Sequence, residues 1–253
     1  MNSKDTAHIM MQSKGGVGKS IFSSILAQYL YEKNKSLRVI STGPVHHTLE
    51  KYKRLNVKRI ETLNEDQRID QSNFDCIFED FIKDSFSMIV DTSSNDFLSF
   101  NHYMINDVVS SLISEFNKQY IIHCPIAYGQ NMDETISCLL RIIEDYPDVP
   151  IIIWENEFFG KNQNSFIDAS IFNNPNHIIG AVKLEYLYDD IEKEAFSKML
   201  NKYMTFEEIH EHNDFNSVEK EILERIKRNI WRQLDFIFNK NIESVIPPLN
   251  KHT

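Results

Sequence analysis

The sequence predicts an α/β fold, a doubly wound and mostly parallel sheet carrying a helical C-terminal extension. Three observations lead there. Apolar runs of strand length recur along the chain, amphipathic stretches of helical period separate them, and from Tyr188 onward only the helical period persists. The strand candidates are His8–Gln12, Leu37–Ser41, Phe86–Asp91, Tyr120–Cys124, Pro150–Trp154 and Ile178–Val182. Several are apolar almost throughout, as strands covered on both faces are. Strands that alternate with helices form right-handed crossovers, which bring the strand C-termini and the ligand loops to one edge.

The helices follow in order. Ile21, Phe22, Ile25, Leu26, Tyr29 and Leu30 form one stripe, and Met104, Val108, Val109, Leu112, Ile113 and Phe116 another. Asn131 with Glu134 predicts a reciprocal cap opening a helix through Ile143. Asn216 with Glu219 predicts a second, ahead of Val218, Ile222, Leu223, Ile226, Ile230, Leu234, Ile237 and Phe238. Acids Glu219, Glu221, Glu224 and Asp235 interleave with Lys220, Arg225, Lys227, Arg228 and Arg232, so this stripe is expected to pack on the sheet rather than lie on a membrane. The acidic run 189–194 suits a solvated helix N-terminus.

A chain of 253 residues, 42% hydrophobic, with no Pro-, Gly- or Ser-rich divider reads as one domain over 1–253, with 184–253 as its packed helical part. No apolar stretch approaches the roughly 20 residues that span a bilayer, so a cytoplasmic protein is expected, with membrane contact only indirect. Three cysteines, Cys76, Cys124 and Cys138, form no CxxC and leave an odd count, which points to reduced packing thiols. A net charge of −10 disfavours coating DNA by phosphate neutralisation.

The chain has seven glycines, and three of them fall in Lys14-Gly15-Gly16-Val17-Gly18-Lys19-Ser20, between a strand and a helix. Backbone N–H groups of such a corner converge on phosphate oxygens at the helix N-terminus, with Lys19 on the β/γ-phosphates and Ser20 on Mg²⁺. The expected ligands are therefore ATP and Mg²⁺, held by Lys14 through Ile21. Ser87–Asp91 reads as the partner strand, apolar residues delivering the Asp91 carboxylate to the metal side. Asn156, after the strand ending at Trp154, is the candidate for the base.

Ser13 stands where the usual phosphate loop opens with Gly, and Lys14 follows it. With that lysine the motif resembles the deviant Walker A class, the ParA/MinD/nitrogenase-iron-protein superfamily of SIMIBI-like P-loop NTPases. The resemblance implies a nucleotide-sandwich homodimer in which Lys14 reaches across to the partner's phosphates, while Lys19 acts on those of its own subunit. Superfamily members commonly carry Asp-x-Asp-Pro after the second strand, the later Asp orienting the attacking water. Here those positions are Ser41 and Gly43, which implies slow hydrolysis. His46, Thr42 and Asp96 are the candidate substitutes, and Gly43→Asp is expected to raise turnover if the missing acid is the bottleneck.

A longer run resembles the TraL-type proteins of conjugative plasmid transfer. It comprises Met11-Gln12-Ser13-Lys14-Gly15, Gly43-Pro44-Val45, Lys51-Tyr52-Lys53, Leu55-Asn56-Val57, Asn73-Phe74-Asp75, Ser99-Phe100-Asn101-His102-Tyr103, Ile122-His123, and Trp154 with Asn156 and Gly160. That resemblance implies a bacterial role in conjugation or type IV secretion, with protein components of the apparatus as partners and recruitment to the inner membrane or cell pole. The alternative is a ParA-like partition ATPase, which the net charge and Gly43 disfavour. An iron–sulfur enzyme is disfavoured by Cys124 and Cys138, which the periodicity puts on a strand and a helix.

Overall fold

The computed structural model describes residues 5–33, 36–43, 48–64, 66, 70–105, 108–158, 160–161 and 177–243. Seven strands form one sheet: β1 (Thr6–Met10), β2 (Leu37–Thr42), β3 (Lys58–Ile60), β4 (Ser87–Asp91), β5 (Gln119–Ala127), β6 (Ile151–Asn156) and β7 (Ile178–Leu184). Their order is β3-β2-β4-β1-β5-β6-β7, and every pairing is parallel. The chain leaves β1 towards β2 and later crosses to β5 on its other side, so β1 is the switch point where an open sheet leaves a crevice at its C-terminal edge.

The helices are α1 (Lys19–Glu32), α2 (Asp75–Lys83), α3 (Phe97–Ile105), α4 (Val108–Glu115), α5 (Met132–Asp145), α6 (Asp190–Asn201), α7 (Phe206–Glu211) and α8 (Ser217–Glu243). Strand residues alternate between two cores. Ile121, Ile152 and Trp154 face α1 and the C-terminal helices, whereas Ile122, Ile151 and Ile153 face α2 to α5. The stripe on α8 packs from Leu223 onward, burying Leu223, Ile226, Ile230, Leu234 and Ile237, whereas Val218 in its first turn is exposed. Asn216 Oδ1 accepts from the Val218 and Glu219 amides at 2.9 and 3.0 Å, and Glu219 returns to the Asn216 amide at 2.8 Å. Asp189 caps α6 through the Ile191 amide at 2.8 Å.

Four expectations need correction. β1 is set two residues earlier than His8–Gln12, because the strand ends at Met10 and Met11 and Gln12 lead into the phosphate loop. A seventh strand, β3, joins the sheet beside β2 where the sequence offered six, and its Lys58 and Arg59 are exposed and carry no apolar run. The stripe from Met104 to Phe116 divides between α3 and α4, and Phe116 lies outside both. Asn131 makes no side-chain cap on α5; Glu134 turns instead to Lys14.

Candidate functional site

β1 ends by handing its next amide across the sheet, Met11 N–H to the His123 carbonyl at 2.9 Å. Gln12 is buried beneath the turn, its Nε2 donating to the Pro125 and Thr135 carbonyls at 2.8 and 3.2 Å. The loop then needs φ values of +75° at Gly16 and +104° at Gly18, which side chains resist. A Cβ on Gly16 would meet nothing within 4 Å, whereas one on Gly18 would sit 2.8 Å from Asn156 Nδ2. Gly16 therefore faces an open cradle, and Gly18 makes room for a packed floor. α1 begins here with no acidic residue in its first turn, leaving its free amides and positive end to an anion.

Lys19 is 8% exposed and folds back so that Nζ donates to the Lys14 carbonyl at 3.0 Å. Burial lowers its pKa, and the nearby Asp91, Cys138 and Cys124 oppose that shift. Asp91, at the end of β4, is buried. Burial raises its pKa, and hydrogen bonds from Ser20 and Ser23 (Ser23 Oγ at 2.9 Å) together with Lys19 oppose the rise. One ammonium, one carboxylate and two hydroxyls thus meet in a desolvated corner. Each ion is costly there alone, and a phosphate–dication pair would satisfy both.

Lys14 lies on the outer side of the loop, half-buried, its Nζ 2.7 Å from Glu134 Oε2. Val17 is buried; its carbonyl accepts from Asn156 Nδ2 at 3.0 Å, and Asn156 Oδ1 accepts from the Phe158 amide at 3.1 Å. Asn156, read in the sequence as a base contact, has its amide committed to the underside of the phosphate loop. Ile21 packs partly into the core. Gly15 approaches the loop after β4, where a Cβ would lie 3.4 Å from Ser94 Oγ. Cys124 and Cys138 are buried behind the loop, with the Ser13 amide 3.4 Å from Cys138 Sγ.

At the end of β2, Ser41 and Thr42 are buried and Gly43 takes φ +119°. Of the substitutes for the missing acid, His46 lies outside the described residues. Thr42 and Asp96 meet, Thr42 Oγ1 donating to Asp96 Oδ2 at 3.1 Å, and Thr62 Oγ1 donates to Asp96 Oδ1 at 3.0 Å. Sequence reading missed Ser23, Ser94, Thr62 and Glu134 as members of this neighbourhood. Ser23 alone had a local signal, three residues beyond Ser20 on the same helix face.

The anion-transporting ATPase (ArsA) family matches residues 6–118, the stretch that contains the phosphate loop and the Asp91 strand. Two TraL proteins of Escherichia coli are 28% and 26% identical over 233 residues, covering 90% of this chain and 96% of each relative. Residues 6–118 thus resemble the ArsA ATPases, and nearly the whole chain resembles the TraL proteins. Among solved structures, the MinD cell division protein of Aquifex aeolicus overlaps 96% of this chain and 99% of its own at TM-score 0.46 and 12% identity. The signal recognition particle 54 kDa protein of Aeropyrum pernix, solved with GDP, overlaps 90% of this chain and 50% of its own at TM-score 0.47 and 12% identity. Among the described residues, no helix is long and apolar enough to cross a membrane.

Proposed function

We propose that this protein binds Mg·ATP at Lys14–Ile21 and works as a nucleotide-switched homodimer that recruits components of a bacterial conjugative transfer or type IV secretion apparatus. The observation that carries the nucleotide reading is the buried meeting of Lys19, Ser20 and Asp91 under a glycine cradle. In this reading the amides of residues 15 to 20 hold the phosphates, Lys19 leaves the Lys14 carbonyl for the β/γ oxygens, and Ser20 and Asp91 face the metal. When bound there, the dication would supply neutralisation of the phosphate charge. The dimer reading rests on Lys14, the lysine of the deviant Walker A pattern, which leaves Glu134 to reach the second subunit's phosphates. The transfer role is supported by the TraL likeness; in this reading the protein works in the cytoplasm and is drawn to the membrane by its partner.

Turnover in this reading is slow, because neither Ser41 nor Gly43 offers a carboxylate to orient water. The test is size-exclusion chromatography with light scattering, without nucleotide, with ADP, and with ATP and Mg²⁺. A doubling of mass with Mg·ATP alone is expected, and Lys19→Ala is expected to abolish it along with the calorimetric heat of ATP binding. A mass unchanged by ATP in a chain that still binds it removes the dimer switch. Absence of any ATP heat removes the nucleotide reading itself.

A further inference from the structure

The loop between Asp91 and α3 is knitted to the phosphate loop at one end and to two neighbouring strands at the other. Thr92 Oγ1 donates to the Met10 carbonyl at 2.6 Å, just before the phosphate loop begins. Ser94 Oγ lies 3.4 Å from the place a Cβ on Gly15 would take. Asp96 is fully buried, yet its two carboxylate oxygens accept hydroxyls from different elements, Thr42 at the end of β2 (3.1 Å) and Thr62 just past β3 (3.0 Å). Its own amide donates to Ser93 Oγ at 3.2 Å, and the Ser93 amide approaches Thr42 Oγ1 at 3.4 Å. A buried carboxylate is costly unless its oxygens are satisfied, so this arrangement fixes the turn Ser93–Asp96 in one position.

Gly43 shows what the carboxylate replaces. A Cβ there would sit 2.4 Å from Ser93 Cβ and 3.4 Å from Asp96 Oδ2. The space that a side chain at 43 would enter is filled by the turn that Asp96 holds. The acidic group at this corner arrives from the loop after β4 instead of from β2.

We propose that Asp96 is a positioning residue that sets the Ser93–Ser94 turn against the phosphate loop, so that the Ser94 hydroxyl reads the presence of a terminal phosphate. The proposal rests on the Mg·ATP reading above. In that reading Asp91 would hold the metal beside the outer phosphates, so the loop that leaves Asp91 would face the terminal phosphate, while the amides at the start of α1 would serve the inner ones. Asp96 touches no nucleotide itself; it acts through the turn, and its loss affects ATP and ADP unequally.

The experiment compares the affinity of the full chain for ADP and for the non-hydrolysable β,γ-imido analogue of ATP, each with Mg²⁺, by calorimetry. Asp96→Ala is expected to keep ADP affinity within about twofold and to lose about tenfold for the triphosphate, a coupling of ordinary size. Asp96→Asn, which can still accept one threonine hydroxyl and donate to the other, is expected to restore most of the preference. Thr62→Val removes a single donor and is expected to give a smaller loss of the same sign, which keeps the test open if Asp96→Ala does not fold. Equal losses for both nucleotides, or an unchanged ratio in folded variants, overturn the proposal and leave the nucleotide reading standing. A wild-type chain that binds neither nucleotide overturns both.

Discussion

A Cβ on Gly43 would lie 2.4 Å from Ser93 Cβ, and its φ of +119° is one that side chains rarely take. The sequence-based expectation that Gly43→Asp restores a water-orienting acid therefore meets a steric answer. The aspartate must either push the Ser93 turn aside or move the end of β2, and both disturb the loop that follows Asp91. Strain and overpacking together are expected to cost at least about 2 kcal/mol, read as a lower urea midpoint, with phosphate release no faster than wild type. Faster release at an unchanged midpoint would show that the corner has room after all. Asn156 teaches a related lesson. Its side chain fills the space under Gly18 and holds the Val17 carbonyl, a role invisible in sequence because the two residues are 139 positions apart.

At the level of elements, α8 reaches β7 because Gly180 has no side chain. A Cβ there would come within 2.6 Å of Ile237 Cγ1 and 2.8 Å of its Cδ1, and Ile237 is buried. Gly180→Ala is expected to destabilise the chain by about 1–3 kcal/mol through overpacking, and Ile237→Val in the same chain to recover part of it. A double variant no more stable than Gly180→Ala in urea unfolding would place the strain elsewhere. This contact also explains which elements the sequence disclosed. The apolar runs of β4, β6 and β7 and the stripe of α8 are local patterns repeated over enough residues to be read. β3 has three residues, two of them charged and exposed, and it exists because β2 offers a parallel edge. The phosphate loop was legible because glycine clustering is local. Asp96 was not, because its partners stand 54 and 34 residues away and meet only when β2, β3 and β4 align.

Across the whole molecule, one buried polar chain joins the central strands to the C-terminal helix. Trp154 Nε1 donates to His123 Nδ1 at 2.9 Å, so in neutral His123 the proton resides on Nε2, which then donates to His8 Nδ1 at 2.9 Å. His8 meets the ring of Phe238 on α8 edge-on, with centroids 5.8 Å apart. Thus β6, β5, β1 and α8 share one ordered network, and it works only while His123 stays neutral. Burial, reinforced by the neighbouring His8, holds the His123 pKa well below its ordinary value. The folded value therefore lies beneath the unfolded one, near 6.5, and the unfolded chain takes up its proton first as the pH falls. This contribution to stability is complete above about pH 6.5 and is lost below it, at up to about 1.4 kcal/mol per pH unit. His123→Gln can accept from Trp154 and donate to His8 without titrating. Urea unfolding from pH 7.5 to 5 is expected to show the wild type losing stability more steeply than this variant, whatever their relative stability at neutral pH. Parallel slopes for the two proteins would mean that the acid sensitivity of the fold arises outside the His8–His123–Trp154 chain.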